Sequence, residues 1–118
     1  MIDIFHASDL LLHQLSQAKH EREFISLAQS NLSSYTLATR VKHSELDIAF
    51  AATGGPSFWV NASNMAIAFA PEPNRCSTFG DILVEQGTGY VNLSTEIGFI
   101  PLVDAVEHLG TLKQKALN

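Results

Sequence analysis

The sequence predicts an α+β domain: one or two leading helices, an antiparallel sheet of about five to six strands, and a closing helix. Three observations carry that expectation. Every glycine and proline lies at or after Gly54, so the first half of the chain holds no strong helix breaker. The stretch from Glu45 to Ala70, ELDIAFAATGGPSFWVNASNMAIAFA, breaks into short apolar runs separated by turn-forming residues. After Pro101, the residues Leu102, Ala105, Val106, Leu109 and Leu112 recur at helical spacing.

Met1 to Phe5 reads as a short opening strand or a frayed end. Ser8 is a good N-cap, with Asp9 placed against the positive end of the helix dipole. Leu11, Leu12, Leu15 and Ala18 form an apolar stripe, interrupted by the charged run Lys19 to Glu23 and resumed by Phe24, Ile25, Leu27 and Ala28. The segment from Asp9 to about Ser30 is therefore one bent helix or two helices meeting at the charged run. Asn31 can end it with a left-handed cap.

Tyr35, Leu37, Thr39 and Val41 alternate with Thr36, Ala38, Arg40 and Lys42, as in a strand with one apolar face. Leu46, Ile48 and Phe50 alternate with Asp47 and Ala49, and the expected hairpin would pair Arg40 and Lys42 with Glu45 and Asp47. A turn at Gly54, Gly55 and Pro56 leads to a strand around Phe58, Val60 and Ala62. Met65, Ile67 and Phe69 fit helix or strand by propensity, and the short distance between turns favours a strand. Pro71 to Asp81 reads as loop. Ile82 to Gln86 and Tyr90 to Ser94 form a hairpin through Gly87, Thr88 and Gly89. Pro101 suits the first turn of the last helix.

At 118 residues, with 46% hydrophobic and 16% charged, the chain is expected to form a single domain spanning 1–118 with its own core. So low a charge content suggests a covered surface, hence a protein partner or a homo-oligomer. One cysteine, Cys76, cannot make an internal disulfide, and no apolar run is long enough to span a membrane. A cytoplasmic protein is expected. The net charge is −5, and no lysine or arginine lies between Cys76 and Leu112, which disfavours nucleic acid and favours a basic protein.

No pattern here is diagnostic of catalysis, a cofactor or a metal. His13 and His20 are seven apart, whereas metal pairs on helices use shorter spacings. Cys76 follows Arg75, which favours a thiolate, but catalysis would also need an imidazole and an orienting group that only the fold can bring close. Asp81 and Glu85 could form an acid pair at a cleft. Trp59 is the best recognition candidate, because Phe58 and Val60 share its strand and Asn61 lies beside it. If a ligand pocket lies between sheet and helix, Phe50, Phe58, Trp59 and Phe69 would line it, with Asn61 or Asp81 adding polarity.

The segment from Gly98 to Gly110, GFIPLVDAVEHLG, with the strand pair before it and the leading helix, resembles the first immunity-protein family of bacterial polymorphic toxin systems. The likeness in letters is IPLVDA. That resemblance implies a small intracellular α+β protein that binds and blocks a toxin domain without doing chemistry. The residues themselves leave three readings open: a non-catalytic protein-binding module, a small-ligand binder or small enzyme, and a homo-oligomeric domain.

Overall fold

A computed structural model of the chain describes residues 1–54, 66–68 and 76–102. It is an α+β fold. The six-stranded sheet is antiparallel throughout, with spatial order β3-β2-β1-β4-β5-β6. Its strands are β1 (Ile2–Ala7), β2 (Tyr35–Val41), β3 (Ala66–Ala68), β4 (Ile82–Glu85), β5 (Val91–Thr95) and β6 (Gly98–Pro101). Three α-helices accompany it among the described residues: α1 (Asp9–Ser16), α2 (Glu21–Ser30) and α3 (Leu46–Gly54).

The opening segment is the inner strand of this sheet, not a frayed end. β1 lies between β2 and β4, and five of its six residues are buried. Phe5 and Ala7 point to the side covered by α1 and α2, with Leu37, Ile82, Val84 and Leu93. Ile2 and Ile4 point to the other side, with Val41, Leu83 and α3. Helices therefore cover both faces. Each large apolar side chain so buried contributes roughly 1.5–3 kcal/mol.

Ser8 caps α1 as expected, its side chain accepting from the Leu11 N–H at 3.2 Å. The charged run separates two helices rather than bending one. His20 caps α2 through Nδ1, which accepts from the Glu23 N–H at 3.2 Å, while Glu23 Oε2 accepts from the Lys19 N–H at 3.0 Å. The arrangement is close to a capping box, with histidine in the usual serine position and the Glu23 carboxylate bonded one residue earlier, at Lys19 instead of His20. Asn31 follows α2 at φ −126°, outside the left-handed region, and its side-chain amide donates to the Leu27 carbonyl at 2.8 Å.

β2 forms where its alternation places it, with one departure. Its register with β1 shifts between Ile4 and Phe5, so Ile4 faces Thr39, Phe5 faces Leu37, and Ala38 is the extra residue. Tyr35 and Leu37 consequently pack toward α1 and α2, whereas Val41 packs toward α3. A bulge thus divides one apolar stripe between two cores.

The expected strand at 45–50 is a helix. Leu46, Ala49, Phe50 and Thr53 recur at the i, i+3, i+4, i+7 spacing that also fits this segment, and Ala49 and Thr53 are fully buried. The expected cross-strand pairing of Arg40 and Lys42 with Glu45 and Asp47 therefore does not form. Arg40 instead donates from Nε to Asp3 Oδ1 at 2.7 Å, and β2 takes β3 as its neighbour on that side. The strand at Ala66–Ala68 agrees with the expected MAIAFA strand, while the strand around Phe58 lies outside the described residues.

The β4–β5 hairpin has the expected place, with Leu83 opposite Asn92 and Gly89 at φ 75°, a conformation open to glycine at little cost. A further strand, β6, follows through the Glu96–Ile97 turn. Pro101 closes this strand instead of opening a helix, and the buried Leu102 donates its N–H to the Val91 carbonyl at 2.8 Å. The closing helix expected after Leu102 lies outside the described residues.

Candidate functional site

At the end of the sheet where β1 finishes and β4 begins, three separate parts of the chain enclose an open groove of about 550 Å³. Leu12 and Leu15 of α1 and Phe24 of α2 supply apolar lining, the helix corner adds Lys19, His20 and Glu21, and Thr78, Phe79, Glu96 and Ile97 close the far side. Phe79 is 46% exposed and Ile97 is 74% exposed, although both are large and apolar.

Local sequence explains why the far side approaches so closely. Gly80 has φ 104°, and a Cβ there would come within 2.8 Å of Leu15 Cδ1. Only glycine lets the loop lie against α1 in this way. The Tyr35 hydroxyl donates to the Gly80 carbonyl at 2.7 Å, and the Gly80 N–H donates to the Ser94 carbonyl at 2.8 Å.

Asp81 completes the anchorage. Its side chain is fully buried, with Oδ1 accepting the Ala7 N–H and Oδ2 the Thr78 N–H, both at 2.9 Å. Ser94 Oγ donates to the Asp81 carbonyl at 2.8 Å. A buried carboxylate with two backbone donors is a fixed structural group. The loop is thus held from β1, β2 and β5, and it presents Phe79 at the groove. Phe79 also stacks on Phe50 of α3, with ring centroids 6.1 Å apart and planes 7° from parallel.

A second polar cluster lies beside this anchorage. His6 Nε2 is 3.1 Å from Ser77 Oγ and 3.9 Å from Asp81 Oδ2. The residue types are those of a hydrolytic triad, but the geometry is not. A triad places the serine and the carboxylate on opposite nitrogens of the imidazole, whereas here both approach the same one. Ser77 is itself buried. The cluster ties the end of β1 to the loop.

Among the described residues, those singled out in the sequence do not converge. Asp81 lies inside the fold, and Glu85 lies at the opposite end of β4, so the two form no acid pair. Of the carboxylates in the stretch without lysine or arginine that the structure describes, Asp81 is buried, Glu85 is half-buried and Glu96 is exposed at the groove. Phe50 is half-buried, packed between Phe79 and Phe99 and against the cluster that Ile2, Ile4, Val41, Ala49 and Leu83 form. Trp59, Asn61 and Phe69 lie outside the described residues, as does Phe58. The half-buried Cys76 precedes Ser77.

Phe79 and Ile97, the most exposed apolar groups of the groove, were not singled out. Phe79 did leave a signal, a large aromatic inside an otherwise polar, turn-rich loop. Among the described residues no three histidine, cysteine, aspartate or glutamate side chains converge as a metal site requires, and no helix is long and apolar enough to cross a membrane. No protein-family model, curated protein or solved structure matches this chain.

Proposed function

We propose that this protein is a non-catalytic binding module that holds a protein partner at the groove between the α1–α2 corner and the loops at Phe79 and Ile97. The observation that carries this reading is the exposure of those two side chains around an apolar depression. Large apolar groups left in solvent beside a concave, water-excluding surface are the usual anchors of protein recognition. An immunity-type protein, one that binds and blocks a toxin domain in the cytoplasm, is the concrete form of this proposal.

A small-ligand site is the competing reading, since 550 Å³ is within the range of ligand cavities. Such sites orient their ligand with polar groups aimed inward. Here the Thr95 hydroxyl already donates to the Gly98 carbonyl at 2.8 Å, and the charged lining residues Lys19, Glu21 and Glu96 are exposed. The balance favours a protein surface over a small molecule.

The test is isothermal titration of the purified protein with the product of the gene adjacent to its own. A complex that Phe79→Ala and Ile97→Ser both weaken, with thermal unfolding of Ile97→Ser unchanged, supports the reading. A complex indifferent to both substitutions moves the partner away from the groove, and turnover of a small substrate by the protein alone overturns the non-catalytic assignment.

A further inference from the structure

We infer that the segment held in the groove is basic: an apolar anchor flanked by lysine or arginine, supplied by a different protein and not by a second copy of this chain. The inference rests on the groove being the binding surface, as proposed above, and adds the chemistry of its occupant.

The fold brings Glu21, from the start of α2, and Glu96, from the β5–β6 turn, to the lining of one depression, and both are exposed. Lys19 is the only lysine or arginine among the described residues lining it. His20 Nδ1 accepts the Glu23 N–H, so that nitrogen offers an anion no donor. The Glu23 carboxylate accepts the Lys19 N–H and its charge at this helix corner is matched by that of Arg22, so the balance at the groove is set by Lys19 against Glu21 and Glu96. Lining groups therefore combine an apolar floor of Leu12, Leu15 and Phe24 with a surplus of negative charge.

Charge also selects among occupants. A second copy docked groove to groove across a two-fold axis would set Glu21 and Glu96 against their own copies, in a chain of net charge −5. Like charges brought together in this way oppose association. A basic segment gains from both the local carboxylates and the overall field, which raises its rate of encounter.

The experiment is selection of a random dodecapeptide phage library on the full-length protein, with clones then sorted by loss of binding to Ile97→Ser and Phe79→Ala. The expected clones place an aromatic or aliphatic residue beside lysine or arginine. Synthetic peptides made from them are expected to bind more weakly at high salt, and Glu21→Lys and Glu96→Lys should each weaken binding by roughly two- to fivefold, as for an exposed ion pair. Groove-dependent clones with neutral or acidic flanks overturn this inference while leaving the binding-module reading intact. A library yielding no groove-dependent clone overturns both. Sedimentation equilibrium showing a dimer that Ile97→Ser dissociates replaces the basic partner with a second copy.

Discussion

The Tyr35 hydroxyl donates to the Gly80 carbonyl oxygen at 2.7 Å, joining the start of β2 to the loop that carries Phe79. Tyr35 is 3% exposed and Gly80 is buried, so water cannot readily replace the bond. Tyr35→Phe keeps the ring in the core and removes only the hydroxyl. It is expected to lower unfolding free energy by about 1–2 kcal/mol in urea titrations, the cost of a buried acceptor losing its donor.

Gly80 makes a second, sharper demand. At φ 104°, any side chain is strained, and a methyl group there would press on Leu15 Cδ1. Gly80→Ala should therefore destabilise the fold by about 1–3 kcal/mol and shift the loop outward. The amide resonances of Thr78 and Phe79 should move in the variant. Unchanged resonances and stability would mean that the close approach of α1 to this loop is not enforced by glycine.

Asp81 and Glu85 look alike in the sequence, one on each side of Ile82–Val84, yet the fold treats them oppositely. Asp81→Ala strips acceptors from the Ala7 and Thr78 N–H groups and should cost about 2–4 kcal/mol, whereas Glu85→Ala, at a half-buried strand end, should cost less than about 1 kcal/mol. Chemical denaturation of the two variants side by side is the measurement. Equal effects would contradict the anchoring role of Asp81.

These contrasts show which information is local. The Ser8 cap, the apolar stripe of α1, the start of β2 and the Gly-rich hairpin turn after Glu85 depend on neighbours in the chain, and each is legible in the sequence. Leu46 to Phe50 is not, because an alternating pattern and a helical pattern both fit it. Alternation of Leu46, Ile48 and Phe50 suggests a strand, while Leu46, Ala49, Phe50 and Thr53 fit one face of a helix. The choice is made by the sheet, in which β1 is flanked by β2 and β4, and β2 is flanked by β3. The groove is harder still to read in advance. Leu12, Phe79 and Ile97 share no local signal and meet only through the strand order.

Arg40 and Asp3 show the same dependence on pairing. Asp3 is fully buried and directly opposite Arg40 in the β1–β2 register, and the Gln86 amide donates to Asp3 Oδ1 at 3.1 Å and to Oδ2 at 3.2 Å. Arg40→Met removes the cation and leaves the buried carboxylate with weaker support, at an expected cost of about 1–3 kcal/mol, reduced because the Arg40 side chain is 27% exposed. The double variant Asp3→Leu, Arg40→Met should recover part of that loss. A double-mutant cycle in urea measures the coupling, and additive effects would remove the pair from the stabilising interactions.

Among the described residues, Pro101 sits in the outermost strand on its side of the sheet. Because the Leu102 N–H bonds to the Val91 carbonyl, antiparallel alternation turns the backbone groups of Phe99 and Pro101 away from β5 and toward the outer side of β6. A residue other than proline would offer a second outward N–H there, next to that of Phe99, and so a better template for another chain. Pro101→Thr is expected to leave unfolding free energy within about 0.5 kcal/mol of the parent, since Pro101 is exposed and its nitrogen faces away from the ladder. Self-association should nevertheless rise. Light scattering across a concentration series reads the difference: a variant as monodisperse as the parent at every concentration would show that the missing donor does not protect this edge.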